Sequence, residues 1–177
     1  MKFSGKVTLN KDGFQKLLGE LAKSGKARVQ VGVLSDRVAR NDEGEFNNAD
    51  LGAVHELGSK SAGIPARSFL QTPCVVNLPD QLAKVENKLV KLLATDGLET
   101  VLKNVGVMAE NTVDEAFVTS GGGSWPPNKQ VTLRAKTAHI KSKAKRAKAM
   151  ANDKPLIDTG KLRRSITSRV IMGGAKE

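Results

Sequence analysis

The chain has no tyrosine, one tryptophan and five phenylalanines in 177 residues. Aromatic faces are what proteins use to stack single-stranded bases and to grip flat ligands, so neither a base platform nor a cofactor pocket is expected, and no cofactor is assigned. The single cysteine, Cys74, has no partner for a disulfide and no second thiol for a metal cage. Stability must therefore come from packing and assembly, and a reducing compartment is permitted. The two histidines, His55 and His139, carry no His-x-x-x-His or carboxylate spacing of the kind a bound metal needs. Apolar runs of about 18 residues are missing. The opening MKFSGKVTLN turns polar at once instead of entering an apolar signal core. Folding in the cytosol, away from any membrane, is the expectation. Acidic residues are absent from Ala116 through Asn152, the stretch that holds Lys129, Arg134, Lys136, Lys141, Lys143, Lys145, Arg146 and Lys148.

Hydrophobic residues make up 39% and charged residues 27%, values of an ordinary globular chain rather than a disordered one. The length suits one domain with a real core, with or without an arm. The net charge of +11 draws polyanions or acidic protein surfaces, and most of the excess sits in the one acid-free segment.

Periodicity places the elements. Residues 2 to 9 alternate weakly, with Phe3, Val7 and Leu9 on one side. Asn10 or Asp12 can cap a helix to about Ser24 with Phe14, Leu17, Leu18 and Leu21 on one face, and Gly25 stops it. Val29, Val31 and Val33 alternate with polar neighbours in the clearest strand, 27 to 34, and a polar loop follows to Asn48. Asn48 or Asp50 opens a short helix ended by Gly58. Ile64-Pro65 forces extended backbone before Ser68, Phe69 and Leu70. A helix from Pro79 to about Ala94 carries the stripe Leu82, Val85, Leu89, Leu92 and Leu93. A second runs from Leu98 to about Val118 after a break at Asp96-Gly97, and the two should form a hairpin. Gly121-Gly122-Gly123-Ser124 predicts a flexible hinge and Trp125-Pro126-Pro127 an extended turn. Thr132 to Ala151 has good helix formers but little to bury. Asp158 or Thr159 can cap a last short helix with Leu162 and Ile166, followed by a strand over 167 to 172.

Few residues suggest chemistry. His55 beside Glu56 lacks companions, so a structural histidine is the better reading than a ligand or base. Cys74, among Pro73, Val75 and Val76, reads as a buried small side chain rather than a nucleophile. The glycine run lacks the Lys-Ser or Lys-Thr of a phosphate loop. The basic segment can be a solvated or neighbour-held arm, or a sequence-blind contact with nucleic acid phosphates. No acidic cluster supports phosphodiester cleavage, so an enzyme is not expected.

Three stretches, in order, carry a resemblance. Gly52-Ala53-Val54-His55-Glu56-Leu57-Gly58 with Ile64-Pro65-Ala66-Arg67-Ser68-Phe69-Leu70, and later Pro155-Leu156-Ile157-Asp158-Thr159-Gly160-Lys161-Leu162-Arg163-Arg164-Ser165-Ile166, resemble the signatures of Mu-type phage virion-morphogenesis proteins and related lambdoid neck and tail-completion proteins. The Trp125-Pro126-Pro127 turn and Thr132 fit the stretch between. Ser68 stands where such proteins commonly have proline.

The resemblance implies a mixed α/β subunit of a tailed phage's neck, assembled in the host cytoplasm into a homo-oligomeric ring, six- or twelvefold. Its partners would be a portal-side connector, a tail terminator and, in the lumen, genomic DNA. On that reading Arg67, Phe69, Trp125, Asp158, Thr159, Leu162, Arg163 and Arg164 are subunit or partner contacts. Arg67 would be free to pair with a carboxylate such as Glu56, so that reversing its charge impairs assembly more than folding. The expected fold is α+β: a small, mainly antiparallel sheet from residues near 2 to 9, 27 to 34 and 167 to 172 covered by the hairpin of 79 to 118. Residues 1–120 with 153–177 would form the domain, and 121–152 the hinge and basic arm.

Overall fold

The computed structural model describes residues 27–34 and 47–172, together with Gly19 and Gly25. The strand expected over 2 to 9 and most of the helix expected over 10 to 24 lie outside the described residues.

Strand β1 (Arg28–Val33) and strand β2 (Ile166–Ile171) pair antiparallel from Arg28 opposite Ile171 to Val33 opposite Ile166. Helix α1 (Asn48–Leu57) starts on a capping box one residue earlier than the sequence suggests. Asn47 accepts from the amides of Ala49 and Asp50, and Asp50 reaches back to the Asn47 amide. A π turn (Pro73–Asn77) runs into helix α2 (Leu78–Asp96), and Gly97, in the left-handed region at φ 85°, reverses the chain into helix α3 (Leu98–Thr119). The short helices α4 (Gln130–Lys136) and α5 (Lys143–Ala151) follow, then α6 (Lys161–Ser165) leads into β2. The architecture is the expected α+β one: a small antiparallel sheet against a long helical hairpin, with a basic helical arm.

The hairpin's two members are used differently. Helix α3 buries Gly106, Ala109, Thr112, Val113, Ala116 and Phe117, three or four residues apart along one face. At Gly106 the sheet comes close enough that a Cβ would lie 2.5 Å from Ser168 Oγ and 3.5 Å from Val29 Cγ1. The Glu110 carboxylate accepts from the Ser168 amide, tying the middle of α3 to β2. Helix α2 buries none of its residues. Its apolar stripe, Leu82, Val85, Leu89, Leu92 and Leu93, is half-buried.

The glycine run is a structured turn rather than the flexible hinge that its composition suggests. Ser120 and Gly121–Gly123 all have positive φ, and the amides of Gly121 and Gly123 bond to the carbonyls of Ala116 and Thr119. This ends α3 and folds the chain back under it, with the Trp125 amide on the Ser120 carbonyl. A side chain at Gly121 would strike the Trp125 indole, its Cβ only 2.3 Å from Nε1. The basic segment forms two short helices, with a break between Thr137 and Ser142.

Candidate functional site

The three motif stretches meet around one core. Phe69, Phe117, Val113, Trp125 and Leu162 are buried together. The Phe69 and Phe117 rings stand 5.1 Å apart and tilted, and Trp125 meets Phe117 edge-on at 6.0 Å. Phe69, Trp125 and Leu162, expected at subunit contacts, are therefore taken up by the chain's own interior.

The His-Glu stretch ends α1 and holds the next helix. Gly58 turns the chain at φ 74°, where a Cβ would fall 2.7 Å from the Ala66 amide nitrogen, and Ser59 bridges Ile64. This folds Pro65–Leu70 back along α1, with the Arg67 amide on the His55 carbonyl at 2.8 Å. The Glu56 carboxylate then accepts from the amides of Phe69, Leu70 and Gln71 at 2.9 to 3.0 Å and from the Ser68 hydroxyl. Ser68 Oγ in turn accepts from the Thr72 amide at 2.9 Å. A carboxylate over the free amides of a helix start satisfies donors that have no partner of their own and complements the helix dipole. The helical run begins at Gln71, eight residues before the Pro79 that periodicity suggested.

Arg67 corrects a second expectation. Only 4% of it is exposed. It does not pair with Glu56, whose oxygens are already occupied. Instead Nε donates to the Pro126 carbonyl at 2.9 Å, and Nη2 to the Pro127 carbonyl at 3.1 Å and to Asn128 Oδ1 at 3.3 Å. Asn128 Nδ2 donates to Asp153 at 2.6 Å, and Lys136 forms an ion pair with the same carboxylate. Burial pulls the Arg67 pKa down and Asp153 opposes that pull. The guanidinium thus clasps the Trp-Pro-Pro turn to α1, and an intrachain relay through Asn128 supplies its counter-charge.

The closing motif behaves similarly. Neither Asp158 nor Thr159 occupies the cap position of α6, which falls on Gly160 at φ 73°, although Thr159 Oγ1 accepts from the Lys161 amide at 3.4 Å. Arg163 makes a two-pronged pair with Asp114 on α3, and its hydrogen bonds hold the Asp114 carboxyl below its usual range. Arg164 donates to the Thr159 carbonyl at 2.9 Å. Asp158 and Thr159 line an open groove of 420 Å³ with His55, Thr132 and Lys136. His55 Nδ1 is buried there without a hydrogen-bond partner. Desolvation first, and then the Arg67 charge, lower its pKa, so it is neutral at pH 7. Burial likewise raises the thiol of half-buried Cys74. Among the described residues no group of three or more His, Cys, Asp or Glu could hold a metal ion, and no helix is long and apolar enough to cross a membrane.

The basic segment divides into two sets. Lys136 is held by Asp153, Lys129 donates to the Gly63 carbonyl at 2.7 Å, and Arg146 folds onto the Ile140 carbonyl at 2.7 Å. Arg134, Lys141, Lys143, Lys145 and Lys148 are exposed.

Two parts of this arrangement escaped the sequence. The capping role of Glu56 had a signal, since Ser68-Phe69-Leu70-Gln71 has the Ser-x-x-Gln spacing of a helix start, but Ile64-Pro65 sets an extended turn there and periodicity starts the helix at Pro79. Asn128 and Asp153 had none, being 25 residues apart in the chain.

No family model matches the chain, and no solved structure matches it. A stretch of 46 residues is 44% identical to a protein of Methanocaldococcus jannaschii described as "Uncharacterized protein MJ0331". That stretch is 26% of this chain and 33% of the archaeal protein, so the similarity spans about a third of the relative's length.

Proposed function

We propose that the chain is a structural subunit of a tailed-phage neck, of the head-to-tail connector or tail-completion kind. It works as a homo-oligomeric ring between a portal-side connector and a tail terminator, after assembly in the bacterial cytoplasm. One observation carries the reading: the stretches that resemble that family are spent together on one fold-holding cluster. Glu56 and His55, the most reaction-like pair, are committed to amides and to burial. A set of exposed cations on the arm, Arg134, Lys141, Lys143, Lys145 and Lys148, suits contact rather than turnover. Light scattering coupled to size exclusion at moderate salt tests it. A defined ring, or a monomer that assembles only on connector proteins, is expected. A self-sufficient monomer that cleaves a small molecule or a nucleic acid would overturn the proposal.

The exposure of Arg134, Lys141, Lys143, Lys145 and Lys148 favours a second reading, a free protein that coats nucleic acid through phosphates without reading sequence. A monomer with tight, salt-sensitive DNA binding in the same experiment would replace the first reading with this one.

A further inference from the structure

Helices α4 and α5 bury none of their residues, so little apolar burial opposes lifting the arm, residues 126 to 153, off the body. Polar ties do oppose it. The Arg67 guanidinium grips the carbonyls of Pro126 and Pro127 and the side chain of Asn128, and Lys129 donates to the Gly63 carbonyl. Asn128 and Lys136 both bind Asp153, which joins the two ends of the arm to each other, so that it can move as one piece.

His55 sits beside the first of these ties. Its carbonyl accepts from the Arg67 amide, and it lines the same groove as Asn128, Thr132 and Lys136 of the arm. Its Nδ1 is buried without a hydrogen-bond partner among the described residues. A neutral imidazole tolerates that place as a bare lone pair. An imidazolium carries a proton on both nitrogens, and the one on Nδ1 would be buried without an acceptor and near a second buried cation. The charged groups around His55 are Arg67 on the following loop, Lys136 on α4, and Asp158 and Lys161 in the closing segment. Asp158 is exposed, Asp153 is shared by Lys136 and Asn128, and Glu56, next to His55 on α1, is taken up by three amides and Ser68. Lifting the arm would admit water to both cations and end the conflict. We propose that protonation of His55 unlatches the arm: the Arg67 grip on Pro126 and Pro127 opens, residues 126 to 153 lift as a unit, and the core around Phe69, Val113 and Phe117 stays folded. The inference stands independently of the neck reading.

Amide hydrogen exchange of the full chain, followed residue by residue between about pH 7.5 and 5 and corrected for the intrinsic rate at each pH, tests this. The open form takes up the proton with an ordinary pKa of about 6.5. Protection of the Leu133 and Thr137 amides, which bond within α4, should therefore fall by up to about tenfold per pH unit below that value. Protection of Val113 and Phe117 in the core should hold. His55→Gln should remove the pH response, and His55→Phe, which keeps a ring in place without a titrating group, serves if the Gln variant does not fold. His139→Gln, at the exposed histidine of the arm itself, should leave the response intact. A parallel loss of protection in the core, a response that survives removal of the His55 imidazole or disappears with that of His139, or no response above pH 5 would each overturn the proposal.

Discussion

Glu56 gathers four donors with one carboxylate, and three of them are main-chain amides, those of Phe69 and Leu70 part-buried. Glu56→Ala should cost about 2 kcal/mol, since hydrogen bonds to a charged acceptor are lost and part-buried amides lose their partner. Glu56→Gln should cost about half of that, as its carbonyl oxygen still accepts. Urea denaturation measures both. Arg67 reverses what its sequence position suggested. Arg67→Lys removes the planar fork from the Pro126 and Pro127 carbonyls, and the expected loss is about 2 to 3 kcal/mol of folding stability. Assembly should remain intact at temperatures where the variant is still folded. A variant as stable as the parent that fails to assemble would return Arg67 to the interface. His55 makes a pH prediction with a definite sign. Its folded pKa lies below the unfolded value of about 6.5, so the unfolded chain takes up the proton first. That stability is fully present above pH 6.5 and drains away as pH falls through 6.5 toward the folded pKa. His55→Gln should flatten this part of a denaturation-midpoint curve measured between about pH 7.5 and 5.

Among the elements, α3 is the spine, and at Gly106 it lies close against the sheet. Alanine in place of a helical glycine ordinarily stabilises by about 1 kcal/mol. Gly106→Ala should instead destabilise by about 1 to 3 kcal/mol, because its methyl would overlap Ser168 and push β2 away. Adding Ser168→Gly should recover much of the loss, and thermal unfolding of the single and double variants checks both statements. The helical hairpin was legible in the sequence because an amphipathic stripe is a local signal, and the two strands because alternation is. The true start of the second long helical run was not. Pro79 reads as the helix start, whereas it sits in the first turn of α2 behind a π turn opened by Pro73, in which the Leu78 amide reaches five residues back to the Pro73 carbonyl. The glycine run misled for a related reason: composition suggests freedom, whereas hydrogen bonds and the Trp125 ring fix each of its turns.

At the scale of the molecule, five of the arm's cations stay at the surface. The exposed cations of α4 and α5 leave a basic face, while Lys136 and Lys129 fasten the arm to the body. Replacing Lys141, Lys143, Lys145 and Lys148 together with Gln should leave thermal stability within about 0.5 kcal/mol, as expected for surface changes away from packed regions. If these side chains meet phosphates, the replacement should lower the slope of log affinity for DNA against log salt by about 0.9 for each phosphate no longer neutralised. Fluorescence anisotropy over a salt series reads that slope. The sequence by itself determined the α+β mix of elements, the hairpin, the two strands and the concentration of positive charge, because each is written in residues close together in the chain. Only the tertiary structure decided what the motif residues do. Arg67 finds its carbonyl 59 residues away, and Trp125 vanishes beneath a helix that its glycines seemed to release. Such partners are chosen by how packed elements bring distant segments together, which no local pattern records.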